Sequence, residues 1–269
     1  MSAIPWGNDC IRRLIANSFP ELLDEAGYTV RREQRGIASV IGTSTHSAVD
    51  YVLNEKKNGK VATFKNAEER GIEKFKKISY ALAYDDKTKN PGDARRQIGT
   101  IIKVYMDQVV PFVNPVHIEK ELKTTITDNN ILWNLSGHPD VIEKKAIRDL
   151  KSGADWFGYH SQLAGYAILL ALMGYGEVDD LIIDWIPRTA VTAPFPDAKS
   201  FHLPVSVCVN ESKATFSMIR YYIGNFLDED SPLHFSPLAF PANTFSMLCG
   251  EDYCPVYGSK YCKISKMKG

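Results

Sequence analysis

Asp140, Asp149 and Lys151 lie in the segment SGHPDVIEKKAIRDLKSG, residues 136–153, on either side of a charged turn. In an extended chain side chains alternate between faces, so Asp149 and Lys151 point one way and Leu150 the other, toward a core. A turn at Glu143–Lys145 would lay two strands side by side and carry Asp140 to Asp149. Two close carboxylates repel, and burial makes the repulsion worse. A hard divalent cation such as Mg²⁺ or Mn²⁺ relieves it, because such ions take oxygen ligands. A lysine beside the cation can hold a water or steady charge building on a phosphate. That kit suits metal-assisted hydrolysis of a phosphodiester. On spacing alone, a solvated hairpin with alternating polar residues fits slightly better, since Asp-x-Lys is a common triplet.

The elements that must position these residues follow from pattern. IPWGNDCIRRLIANSF reads as an opening helix. GTSTHSAVDYVLNEKK reads as a second, with Thr43 or Ser44 as its N-cap. Two more follow, in NAEERGIEKFKKISYALAYDD and in PGDARRQIGTIIKVYMDQVVPFV, the latter opened by Pro91. Near residue 115 the period changes. VHIEKELKTTITD, ILWNLSGHPDVI and AIRDLK predict three strands separated by turns. GYHSQLAGYAILLALMG predicts a helix ending at Gly174. DDLIIDWIPR and FHLPVSVCV predict two further strands, and ESKATFSMIRYYIGNFLDE a late helix. The order suggests an α/β fold with one central mixed β-sheet flanked by helices. With no linker in sight, residues 1–269 read as a single domain. It has a mainly helical part (1–112), a sheet core carrying the acids (113–230) and a Cys-rich C-terminal clasp (231–269).

Composition narrows the partners. Hydrophobic residues at 44% and charged residues at 24% are ordinary for a globular chain. The formal net charge is zero, so a polyanion must be held by a local patch or by metal ions. No apolar run reaches about 18 residues, so no membrane span is expected. The start, MSAIPWGNDCIRR, lacks a basic-then-apolar leader. The expectation is a cytoplasmic protein, or one of the host cytoplasm if phage-encoded. There, cysteines serve as metal ligands or buried thiols. No GxxxxGK[ST] loop occurs, so any unwinding needs a helicase or recombination partner in trans. The lysine-rich stretches EKKNGK, EKFKK and SKYCKISKMKG read mainly as solvated faces. One or two could line a groove for a phosphate backbone. Trp156, Phe157 and Tyr159 could stack on unpaired bases, although Trp156 and Phe157 fit core anchors better.

Pro139-Asp140 followed by Asp149-Leu150-Lys151 resembles the PD-(D/E)XK nuclease signature. Gln162-Leu-Ala-Gly-Tyr166 resembles the Q-x-x-x-Y motif of the RecB-like branch. Gln162 and Tyr166 are four apart and share a helix face. Gly42-Thr-Ser-Thr-His46 resembles that branch's upstream G-x-x-x-H. The resemblance implies a restriction-endonuclease-like core. It implies a Mg²⁺ or Mn²⁺ site made by His46, Asp140, Asp149 and the backbone carbonyl of Leu150. Glu121 resembles an acid that some members place near the metals, and Glu119 would share its strand face. By the same resemblance Lys151 orients water and stabilises charge, while Gln162 and Tyr166 position Lys151 or grip the DNA backbone. His138, two residues before Asp140 and on its face if the strand is regular, fits a residue that only lines the site, and His160, near Gln162, is ambiguous.

One cysteine near the start and three near the end resemble the iron–sulfur subset of RecB-like nucleases. That subset includes the AddB nuclease domain and CRISPR-associated and phage exonucleases. It implies a [4Fe–4S] cluster on Cys10, Cys249, Cys254 and Cys262. Here the last three cysteines are separated by four and seven residues, GEDY and PVYGSKY, where many members have two and five. Zinc is the competing ligand, and four unmetallated thiols a third reading. Cys208, set among valines, reads as a buried small hydrophobe. The implied activity is a metal-dependent DNA exonuclease in recombination, repair or processing. A structure-specific endonuclease and a non-catalytic DNA-binding assembly subunit are the alternatives. The sequence leaves the homo-oligomeric state open.

Overall fold

A computed structural model describes residues 10–31, 36–80, 82–128, 131–153, 160–243, 249–251 and 254–263. Five helices come first: α1 (Ile11–Ser18), α2 (Pro20–Glu25), α3 (Ile37–Lys57), α4 (Phe64–Ile78) and α5 (Pro91–Gln108). Strands β1 (His117–Ile118), β2 (Leu122–Asp128), β3 (Ile131–Gly137), β4 (Val141–Ile142) and β5 (Ala146–Lys151) follow. Then come α6 (His160–Leu172), β6 (Asp180–Trp185), β7 (Lys199–Leu203) and α7 (Val205–Leu227). The fold is α/β: a helical part, α3–α5, precedes a mixed five-stranded sheet with flanking helices. Backbone contacts divide the chain into two compact units, one of residues Arg35–Val209 and one that joins Met1–Gln34 to Asn210–Gly269.

In the Arg35–Val209 unit the sheet order is β1-β4-β5-β6-β7. Only β5 and β6 run parallel, with Asp149 opposite Ile183 and Lys151 opposite Trp185. Alternation along the strands feeds two cores. Val141, Leu150 and Ile186 join the core of α3–α5, while Ile142, Ile147, Leu181 and Ile183 pack with Leu163, Ala164 and Leu170 of α6. Burying a leucine such as Leu150 stabilises the fold by about 2 kcal/mol. Covered on both faces, β5 can hold polar side chains only where partners meet them.

Local chemistry explains most boundaries. α5 starts at Pro91, capped by the Asn90 side chain, which accepts from Asp93 N at 3.0 Å. α6 stops where Gly174 adopts φ +78°, a conformation glycine takes without strain.

Several elements differ from the sequence reading. α3 begins at Ile37, so Thr43 and Ser44 are not caps. Their hydroxyls donate back to Ser39 O and Val40 O at 3.0 and 2.7 Å. α2, opened by Pro20, was not expected. The three strands expected after residue 115 are five. Glu119, at φ +46°, breaks the first into β1 and β2, and residues 138–140 break the second into β3 and β4. β2 and β3 pair only with each other, as a separate two-stranded ribbon. FHLPVSVCV is a strand only to Leu203. Pro204 ends it, and the valines belong to α7, where Cys208 is buried against the α6 core. Residues 4–9 of the expected opening helix, and Trp156, Phe157 and Tyr159, lie outside the described residues. No described helix is long and apolar enough to cross a membrane.

Candidate metal centre and cysteine cluster

The acidic site sits where β1, β4 and β5 run side by side and α3 and α6 approach them. Asp140 is not on a strand but in the bend just before β4. The antiparallel register that pairs Val141 with Arg148 sets Asp140 beside Asp149. Asp140 Oδ2 accepts from the Leu150 N–H at 2.6 Å, and its Oδ1 meets His46 Nδ1 at 3.1 Å. Asp149, almost wholly buried, forms an ion pair with Lys151 Nζ through Oδ2. Glu119 N donates to the Asp140 carbonyl at 3.0 Å. One ligand atom each from His46, Glu119 and Asp140 lie within 4.8 Å of one another, close enough to share a cation.

The electrostatics are those of crowded acids. Burial works against ionised Asp140, but the His46 charge and hydrogen bond outweigh it and hold its carboxyl below the usual range. Burial, then the charge of Asp140, pushes Asp149 up to about 6. Asp50, one helical turn beyond His46 on α3, rises to about 7, chiefly by burial with Asp140 adding to it. Glu119 rises to about 8 through desolvation, Asp50 and Asp140. Burial disfavours the His46 imidazolium, yet Asp140 and Asp149 more than compensate and raise it to about 9. Three of the four carboxyls are therefore reluctant to ionise without a further positive charge.

Gln162 and Tyr166 reach this site from α6. Gln162 Nε2 donates to Tyr166 Oη at 2.8 Å. Burial and the charge of Asp149 raise the tyrosine well above its ordinary value. Gln162 Oε1 is buried with no hydrogen-bond partner among the described residues. Gly137 makes room for the Tyr166 ring. A Cβ there would lie 2.7 Å from two ring carbons.

Of the residues read from sequence, His46, Asp140, Asp149, Lys151, Gln162 and Tyr166 converge, and Leu150 joins them through its backbone. Glu121 is outside the His46–Glu119–Asp140 group. The left-handed turn at Glu119 breaks the strand, so the two glutamates do not share a regular face. His138 is exposed in the irregular link before Asp140, not on a strand. His160 opens α6. Asp50 was missed, although its i+4 spacing from His46 was a usable signal. Also unforeseen was a buried pair beneath β5. Arg148 Nε and Nη2 donate to Asp184 at 3.0 and 2.8 Å, and Ser200 Oγ donates to Asp184 Oδ1 at 2.6 Å.

Cys10, Cys249, Cys254 and Cys262 all belong to the unit built from both chain ends, and all are buried. Burial pushes the Cys254 thiol up, and Cys10 and Cys262 add to it, which sets both near Cys254. Donors face sulfur, among them Asn243 N, 3.3 Å from Cys10 Sγ, and Arg12 Nη1, 4.0 Å from Cys262 Sγ. Arg12 is itself buried and donates through Nε to Phe240 O at 2.8 Å. Donors aimed at buried sulfurs suit thiolates bound to metal. None of the five cysteines forms a disulfide.

No family model matches the chain, and no curated protein does. Among solved structures, that of the archaeal protein SSO0001 aligns over 74% of this chain and 83% of its own, at 13% identity. The TM-score of 0.30 is too low for this likeness to bear on fold or function.

Proposed function

We propose that the chain is a Mg²⁺- or Mn²⁺-dependent DNA exonuclease of the RecB-like type, hydrolysing phosphodiester bonds in recombination, repair or DNA processing. One observation carries the reading: His46, Glu119 and Asp140 bring ligand atoms within 4.8 Å of one another, beside the buried Asp149–Lys151 pair on β5. The donor set is rich in oxygen and short of positive charge, which fits a hard divalent cation. His46, Glu119, Asp140, Asp149 and the Leu150 carbonyl would hold it, and it would supply Lewis-acid polarisation of the phosphate. Lys151, steadied by Asp149, orients the attacking water and offers positive charge to the transition state. Gln162, its carbonyl oxygen lacking a partner among the described residues, and Tyr166 position Lys151 or hold the DNA backbone.

Cys10, Cys249, Cys254 and Cys262 fit a [4Fe–4S] cluster that ties together residues up to 252 positions apart. Such thiols are in keeping with a cytoplasmic, reducing setting. DNA is the partner, as single- or double-stranded ends.

The test is digestion of linear single- and double-stranded DNA, labelled at each end, beside closed circular DNA. Activity should require Mg²⁺ or Mn²⁺, spare the closed circle, and vanish in Asp149→Ala and in Lys151→Ala while both stay folded. Undiminished cleavage in both variants refutes the site. Cleavage of the closed circle points to an endonuclease, and metal-independent DNA binding without degradation to an assembly subunit. Anaerobically purified protein should be brown. A colourless, zinc-loaded sample removes the cluster.

A further inference from the structure

A second concave site lies in the Arg35–Val209 unit and shares no residue with the acidic centre. It is a cleft of about 450 Å³ bounded by α4, α5 and the loop that follows β6. That volume falls within the range of small-molecule sites. Its walls are largely apolar, with Phe64, Ile101, Pro187 and Phe195 among them. Arg96, Lys103 and Arg188 also line it, against a single acid, Glu68.

Each cation is braced by a carboxylate that is not part of the lining. Arg96 Nη2 donates to Asp93 at 2.9 Å, and Lys103 pairs with Asp107. Arg188 grips Asp85 through Nη1 and Nη2 at 3.0 and 2.6 Å, and Nη1 also donates to Thr88. The positive groups are thereby fixed without setting those acids against an occupant. Glu68 is seated against the bare backbone of Gly99, where a Cβ would lie 2.5 Å from its Oε1.

Arg188 is only 4% exposed, yet its Nε is buried with no hydrogen-bond partner among the described residues. A buried donor left unpaired is costly. An occupant bringing an acceptor oxygen that drew the guanidinium toward the cleft would remove that cost, while a flat apolar group would cover the walls. The loop carrying Arg188 is tied to the strand of the acidic site. Ile186 N donates to Lys151 O at 2.9 Å, and Arg188 N to Gly153 O at 3.3 Å.

We propose that this cleft binds a small anion with a flat apolar body, its acid oxygen toward Arg96, Lys103 and Arg188 and its ring between the apolar walls. A nucleoside monophosphate and an aromatic carboxylate both carry that chemistry. The inference stands apart from the nuclease reading, because it concerns binding without any cation.

Calorimetric titration of the full chain in EDTA tests it, using thymidine monophosphate, thymidine, inorganic phosphate and phenylacetate. Thymidine monophosphate or phenylacetate should bind at one saturable site, and the tighter of the two identifies the source. Thymidine and phosphate, each lacking one half of the chemistry, should bind at least tenfold more weakly than that ligand. Ala190→Trp, which fills the cleft, and Lys103→Glu, which reverses a rim charge, should each weaken binding at least tenfold. Asp149→Asn should leave it unchanged. Lys103 is on the surface, so its variant keeps the test informative if Ala190→Trp misfolds. Absence of binding by both anions overturns the proposal. So does thymidine binding as tightly as its monophosphate, or wild-type affinity in the folded variants.

Discussion

Loading the acidic site with a cation should expel protons, and the number follows from the groups present. A histidine or carboxyl must be deprotonated to act as a ligand. His46 is raised to about 9, so it is almost fully protonated at pH 7. Glu119, at about 8, is roughly nine-tenths protonated there by the same reasoning. Asp140 is held below the usual range and has no proton to give. Binding through these three therefore releases ~2 protons per cation at pH 7, and Asp50, at about 7, adds up to about half a proton more. At pH 9 the release falls below ~1, because Glu119 is ionised and His46 half so. The affinity for Mn²⁺ should thus rise about 100-fold per pH unit near pH 7 and flatten toward pH 9. Calorimetric titration with Mn²⁺ in buffers of different ionisation enthalpy reads the proton count directly. His46→Gln should lower it by about one at pH 7. A count near zero at pH 7, or the same count at pH 7 and 9, would show that His46 and Glu119 do not ligate.

Other perturbations have outcomes of defined sign. Asp149 is raised from 3.8 to about 6 on folding, so its ionisation opposes folding. That penalty is absent below pH 4, grows as pH rises through 6, and reaches an upper limit of about 3 kcal/mol. Metal-free Asp149→Asn, which also loses the Lys151 pair, should be about 1–2 kcal/mol more stable than wild type at pH 8 and equal to it near pH 4. Urea denaturation in EDTA at the two pH values checks this, and a destabilised variant at pH 8 contradicts it. Asp184→Asn leaves Arg148 buried without its charge partner and should cost about 3–5 kcal/mol, more than the double change Arg148→Met with Asp184→Leu. A thermodynamic cycle on the four proteins decides. Gly137→Ala drives a methyl into the Tyr166 ring and should cost about 1–3 kcal/mol. Calorimetric melting would measure that cost, and a normal melt would mean the ring has room to move.

The parts legible in the sequence were those set by local rules. Pro91 beside Asn90 marks the start of α5, and Gly174 marks the end of α6. The spacing of Asp140, Asp149 and Lys151 allowed the two acids to lie side by side, because a tight turn leaves few ways to pair two short strands, yet on spacing alone a solvated hairpin fitted slightly better. Local rules failed where two of them competed. Thr43 and Ser44 are good capping residues, but a helix already running from Ile37 gave their hydroxyls carbonyls four residues back. Val205, Val207 and Val209 alternate like a strand, while Pro204 forbids the ladder and suits the first turn of a helix. Glu119 could not be chosen over Glu121 by period, since the choice rests on a left-handed residue that no alternation signals. The Arg148–Asp184 pair depends on which strand lies next to β5, a matter of topology rather than local pattern.

The two units differ in how the ribosome delivers them. Arg35–Val209 emerges as one uninterrupted stretch and can collapse while synthesis continues. The other unit joins residues before Arg35 to residues after Val209, so it must wait until the segment that carries Cys249, Cys254 and Cys262 has been made. Folding of the unit that holds Cys10, Cys249, Cys254 and Cys262 is thus a late event, after Arg35–Val209 can already have formed. Limited proteolysis of stalled nascent chains should find residues 35–209 protected before Cys249 has been translated.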